Sequence, residues 1–143
     1  MATQAKLYRS ERPQLVPPNM WTLLTFEKRI RNDRSMTRDL SLIMPPFDGD
    51  FLWSRNLRWA AITIPEGDTR PRQFMSRFIR DPLGERDDTG AADHVATPGR
   101  SWETTTWQFW GEAGMPVGVE VWHDHHEPWA VEHAQFVGTT WDY

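Results

Sequence analysis

The sequence predicts a single all-β sandwich domain. Short segments of alternating apolar and polar residues recur between Gly, Pro and Asp turn signals, the pattern of a sandwich or barrel. No long amphipathic helical period appears. Nine tryptophans and an aromatic content of 13% favour strands. At 143 residues the chain has the length of one domain, enough to bury a core without staples. It has no cysteine, so no disulfide framework and no thiol chemistry.

The elements follow in order. Residues 1–18 are polar, with isolated apolar groups at Leu7, Tyr8, Leu15 and Val16, and end in Pro17-Pro18. Proline disfavours helix there, and the segment reads as an extended N-terminal arm preceding a domain over 19–143. Met20–Phe26 alternates, with Thr22, Leu24 and Phe26 on one face. Thr37–Met44 is a strand stopped by Pro45-Pro46, and Asp48-Gly49 is a turn. Asp50–Thr63 is the longest strand, with Phe51, Trp53, Leu57, Trp59 and Ala61 on one face. Arg55 interrupts that face and predicts a bulge or an edge. In Arg70–Asp81, Phe74, Met75 and Phe78 fit a helix, whereas Phe74, Ser76 and Phe78 fit a strand. The flanking Pro71 and Pro82 favour the strand. Pro82–Gly99 has no apolar period, three glycines, two prolines and four acidic residues. It predicts a long loop, either functional or a tolerated insertion. Ser101–Trp110 is a strand with Thr105, Trp107 and Phe109 on one face and Trp102 and Trp110 on the other. Met115–His123 turns Val117, Val119 and Val121 inward and Gly118, Glu120 and Trp122 outward. A last strand runs over about His133–Trp141.

The net charge of -4 carries no basic footprint for nucleic acid. No apolar run approaches the roughly 18 residues of a membrane span. The first residues lack a signal-peptide apolar stretch, and synthesis in a cytoplasm is expected. Only Lys6 and Lys28 are lysine among 16 basic residues, which fits a high-GC genome or selection for bidentate arginine contacts.

The one cluster with metal-ligand chemistry is His123-Asp124-His125-His126-Glu127, with His133 nearby. Metal-binding jelly rolls of the cupin type pair His-x-His with a glutamate four or five residues later. Here Glu127 follows His125 by two, and Trp129 and Ala130 stand at the expected positions. The cluster therefore reads as a polar turn, with no metal and no cofactor. No phosphate-binding glycine loop and no Gly-x-Ser-x-Gly elbow occur. No catalytic residue is assigned, and an enzyme is not expected.

Four stretches carry a resemblance. They are Thr25-Phe26-Glu27-Lys28 through Asn32, Met44-Pro45-Pro46-Phe47-Asp48-Gly49-Asp50-Phe51, Gly114-Met115-Pro116-Val117-Gly118-Val119-Glu120-Val121, and Phe136-Val137-Gly138. In order and spacing they resemble the trimeric jelly roll shared by tumour necrosis factor and the globular heads of complement first component, with Met115 where that family usually has aspartate. The resemblance covers about residues 19–143. It implies a jelly-roll β-sandwich, a homotrimer, recognition through loops and outer faces, and no catalytic residues. A small, cysteine-free, arginine-rich chain with an arm also resembles jelly-roll trimers that decorate bacteriophage heads. The implied role is a virion structural protein on the capsid surface, a cement protein bridging major capsid subunits. Arm residues Leu7, Tyr8, Arg9, Arg12, Leu15 and Val16 are the expected partner contacts. Trp102, Trp110 and Trp122 are expected at the trimer or capsid interface. The alternative is a tail or fibre module binding a host glycan or receptor, with the tryptophans as stacking platforms.

Overall fold

Alternating side chains and short turns produce strands almost throughout. The computed structural model describes residues 2–68, 70, 72–84, 86–95 and 99–141. Its strands are β1 (Ala2–Arg9), β2 (Gln14–Val16), β3 (Thr22–Leu23), β4 (Lys28–Asn32), β5 (Thr37–Arg38), β6 (Leu42–Ile43), β7 (Gly49–Ile62), β8 (Gln73–Arg80), β9 (Asp87–Val95), β10 (Gly99–Gly111), β11 (Val117–His123) and β12 (Trp129–Trp141). The helical content among the described residues is one 3-10 turn, Asp33–Ser35.

Two antiparallel sheets form a jelly-roll sandwich. The first has the order β10-β7-β12-β1-β4, with β2 also beside β12; the second has the order β5-β6-β11-β8-β9, with β3 also beside β11. The inward residues interdigitate between the sheets. Trp53 stacks on Phe51, Phe109 and Phe136 at centroid distances of 5.3, 5.2 and 6.0 Å. Trp59 of the first sheet stacks on Phe74 of the second at 4.7 Å. Each such ring buries a large apolar area, and the offset geometry adds to it. Val117, Val119 and Val121 are buried in this core, as their alternation predicts. Residues 73–80 form a strand, settling the helix–strand ambiguity.

Five expectations are corrected. Residues 2–9 are not an arm: β1 lies inside the first sheet, paired with β12 from Ala2↔Trp141 to Arg9↔Ala134 and with β4 on its other side. The cause is a period-2 pattern, with Thr3, Ala5, Leu7 and Arg9 buried and Gln4, Lys6 and Tyr8 outward. Residues 87–95 are strand β9, not loop, paired with β8. Main-chain hydrogen bonds at a sheet edge need no apolar alternation, and Arg80–Asp87 and Arg77–Asp88 ion pairs reinforce the register. Glu85 and residues 96–98 of the expected loop, like Pro71 before β8, lie outside the described residues. Arg55 keeps the alternation and points into the core, 1% exposed. The register shifts fall instead beside Trp59, in β10 and β12. Beyond them Ala61 is exposed and Ile62 is buried. Glu120 and Gly118 are on the outer side of the second sheet yet buried, because other segments cover them.

Candidate interaction surface

The two outer sheet faces differ. Over the second sheet, the segment around β3 and the turn before β9 form a cover. Arg77 donates from Nε to Glu120 Oε1 at 2.9 Å, and its guanidinium lies 3.8 Å from the Trp21 ring centroid. Arg86 pairs with the second oxygen of Glu120 and donates to the Pro82 carbonyl at 2.8 Å. A Cβ at Gly118 would sit 2.8 Å from the Leu23 side chain, so β3 closes directly on β11. Trp122, expected at an interface, lies on this sheet opposite Met75 and is half-buried.

The outer face of the first sheet has no such cover among the described residues. Of nine tryptophans, Trp102, Trp107, Trp110 and Trp141 are 53, 49, 51 and 48% exposed, and all four stand on β10 or β12. Trp107 falls on the inward side of β10, as its alternation predicts, but β10 is the edge strand and the ring stays open.

At one end of this face a polar-aromatic row crosses the sheet. The Arg58 guanidinium lies 5.3 Å from the Trp102 ring centroid. Trp102 meets His133 edge-on at 5.1 Å, and His133 meets Tyr8 at 5.0 Å. Tyr8 Oη and His133 Nε2 share a hydrogen bond of 3.1 Å. Desolvation, then the Arg58 charge, holds the His133 pKa below its ordinary value. Glu132 pairs with Arg58 at 3.6 Å and Arg100 at 3.0 Å. This row presents preorganised rings and fixed charges, the combination enriched at protein interfaces.

The expected arm contacts separate. Leu7 and Val16 are fully buried in the core. Tyr8 joins the outer row through β1. Arg9 is turned onto its own chain: Nε donates to the Thr25 carbonyl at 2.8 Å, Nη2 to Thr25 Oγ1 at 3.0 Å, and Nη1 to the Arg12 carbonyl. Beside it, Glu27 Oε1 accepts from the successive amides of Ser10, Glu11 and Arg12 at 3.2, 3.1 and 3.0 Å. Those amides, Arg12 foremost, hold its carboxyl below the ordinary range. The turn between β1 and β2 is therefore bracketed. Only Arg12 and Leu15 of the six expected contacts are exposed.

The histidine cluster is structural at its first member. His123 Nε2 donates to the Val16 carbonyl at 2.8 Å, and Nδ1 accepts the His125 amide at 3.1 Å. Both nitrogens are engaged, so His123 ties β2 to the end of β11. His125, His126 and Glu127 do bring one ligand atom each within 4.8 Å of one another. The buried Arg72 Nε–H, however, donates to His125 Nδ1 at 3.1 Å. An arginine only donates, so the proton of the neutral ring sits on Nε2, which faces Glu127 at 3.5 Å. A metal there would have to displace that proton from a ring whose other nitrogen is already engaged. The donor set fits a hydrogen-bonded turn.

Inside the sandwich, Arg55 donates from Nε to Ser76 Oγ at 2.6 Å and from Nη2 to the Ser76 carbonyl at 3.1 Å. Ser76 Oγ in turn donates to Glu103. The guanidinium also lies 4.5 Å from the Phe78 centroid. Desolvation pushes the Arg55 pKa down to about 10, opposed by the Glu103 charge. This buried network joins β7, β8 and β10. Sequence reading missed it; an arginine and a glutamate on the inward phase of two strands are the signal.

No protein-family model matches the chain, and no curated protein matches it in sequence. Solved structures do. The globular domain of zebrafish complement 1qA protein aligns over 95% of this chain and 94% of its own, with a TM-score of 0.68 and 9% identity. The Eiger TNF of S. frugiperda aligns over 99% of this chain and 94% of its own, with a TM-score of 0.68 and 6% identity. The chain has the jelly-roll fold of these globular domains.

Proposed function

We propose that the protein is a structural assembly module rather than an enzyme. Copies associate as a homotrimer through the Trp102 end of the first sheet, and the assembly decorates a viral particle by bridging major capsid subunits. The observation that carries self-assembly is the asymmetry of the sandwich: one outer face is covered by its own chain, and the other has no cover among the described residues and bears half-exposed tryptophans. Exposed aromatic surface of this kind marks interaction sites. The fold likeness to the complement and tumour necrosis factor domains agrees with association of copies. The capsid reading rests on composition: no cysteine and 14 arginines among 16 basic residues. Because β1 belongs to the sheet, capsid contacts fall on exposed surface such as Arg12 and Leu15, not on a free arm.

Light scattering of the purified chain, alone and with empty capsids, tests both parts. A mass near three chains and co-sedimentation with capsids are expected. Trp102→Ala should shift the mass towards the monomer. A monomer at all accessible concentrations overturns self-assembly; a trimer that ignores capsids overturns the capsid role alone.

A further inference from the structure

At the other end of the first sheet, about eight residues and therefore roughly 27 Å along β10 from Trp102, the outer face hollows into a groove. Its volume is about 600 Å³, and its lining includes Phe47, Asp48, Asp50, Leu52, Gln108 and Trp141. This size lies within the range of small-ligand sites. The sheet register builds the groove. Asp50 is paired with Trp110 on one side. Leu52 is paired with Thr139 on the other, which brings Trp141 level with Asp50. With strands about 4.8 Å apart, the half-exposed Trp110 and Trp141 stand on the strands either side of Asp50, their backbones roughly 10 Å from each other.

The polar groups in this groove are available. Asp50, Gln108 and Trp141 make no side-chain hydrogen bond or ion pair with any described residue. Asp48 uses one oxygen, Oδ1, to accept the Ala113 amide at 2.8 Å, and keeps the other. Thr140 is engaged with the Asp50 carbonyl at 2.8 Å. Among the described residues no basic side chain lines the groove; Arg34 lies outside it over the Phe47 ring, 5.4 Å from the centroid.

We propose that this groove binds a neutral saccharide. The free set contains acceptors, on Asp50 and Asp48, and donors, on the Gln108 amide and the Trp141 indole. Sugar hydroxyls donate and accept, and satisfy both kinds together; an ammonium ligand satisfies only the acceptors. The exposed indole offers a flat apolar face to the C–H side of a pyranose ring, and the second indole at Trp110 suits a following ring. Two carboxylates without a cation repel sialylated or sulfated glycans. The groove lies at the end of the sheet remote from Trp102, so copies packed through the Trp102 end leave it open.

The test is a titration of the full chain, in its native oligomeric state, with maltoheptaose, cellohexaose and chitohexaose, read by tryptophan fluorescence and calorimetry. Tetramethylammonium and sialyllactose serve as comparison probes. At least one neutral oligosaccharide is expected to bind at millimolar concentration or below. Trp141→Ala and Gln108→Ala should each weaken it by about tenfold or more, a change of about 1.4 kcal/mol, while a change at the exposed turn residue Leu83, Leu83→Ala, leaves it unchanged. Gln108 is exposed, so its variant reports even if Trp141→Ala fails to fold. Absence of binding by every neutral oligosaccharide, binding that survives both groove substitutions, or binding of tetramethylammonium alone overturns the proposal. The mass measurement is separate: binding by a monomer overturns self-assembly only, and a trimer without binding overturns the groove only.

Discussion

The buried histidines and the interior arginine are where single residues set stability. Desolvation holds the pKa of His123 and His125 below the ordinary 6.5, as it does for His133. A depressed folded-state pKa means that the unfolded chain takes up protons first. The contribution is therefore complete above 6.5 and is lost as pH falls through the folded-state values. The melting temperature should be flat above pH 7 and should drop on acidification below about 6.5, before the carboxylates with lowered pKa, such as Glu27 and Asp33, titrate. His123→Gln should shallow that slope; an unchanged profile would show that His123 does not contribute to it. His123→Ala removes two buried hydrogen bonds and leaves a cavity, and should cost about 2–4 kcal/mol in denaturant melts. Arg55→Leu leaves Glu103 buried without its nearby cation and should cost roughly 3–5 kcal/mol. Arg55→Leu with Glu103→Leu should recover most of that loss, because a buried ion pair replaced by apolar groups is often neutral. A double variant as unstable as the single one would mean that the network contributes through shape, not charge.

At the scale of elements, the first strand carries more than its sequence position implies. Deleting residues 2–9 removes the ladder between β12 and β4 and exposes Phe136 and its neighbours. The expected result is an aggregated or unfolded product by circular dichroism, not a folded domain that has merely lost a partner contact. A cooperative melt from that deletion would return the segment to the status of an arm. The closing strand is equally constrained. A Cβ at Gly138 would stand 2.8 Å from Trp53 Cζ3, and the Trp53 ring is fully buried and stacked on three sides. Gly138→Ala should therefore destabilise by about 1–3 kcal/mol through overpacking. The same substitution at Gly67, with open space around it but a φ of +82°, tests backbone strain alone.

For the whole molecule, the first and last strands are neighbours in one sheet, so the sandwich closes only when the two ends of the chain meet. Such non-local pairing predicts refolding in the millisecond-to-second range rather than microseconds. Stopped-flow tryptophan fluorescence would check this. The two aromatic ends of the bare face predict separable losses. Trp102→Ala should lower the oligomer mass and leave saccharide binding in place, and Trp141→Ala should do the reverse. Linked losses from both variants would mean that the groove is built between copies.

Local patterning specifies the all-β class, the long strand β7 (expected over 50–63, formed by Gly49–Ile62) and the valine ladder of β11, because period-2 alternation and turn residues act locally. The sequence also carries the alternation of residues 2–9, but their mixed small and polar side chains do not distinguish a strand from a tail without β12, more than a hundred residues away, beside them. The inward direction of Arg55 had the same status: its phase was legible, but its partners Ser76 and Glu103 came from other strands. Which tryptophans stay open was decided only by tertiary structure. Trp102 and Trp122 both alternate outward, but chain from β3 folds over one sheet face and none of the described chain folds over the other. Alternation assigns a side chain to a face; what covers that face depends on contacts between distant segments.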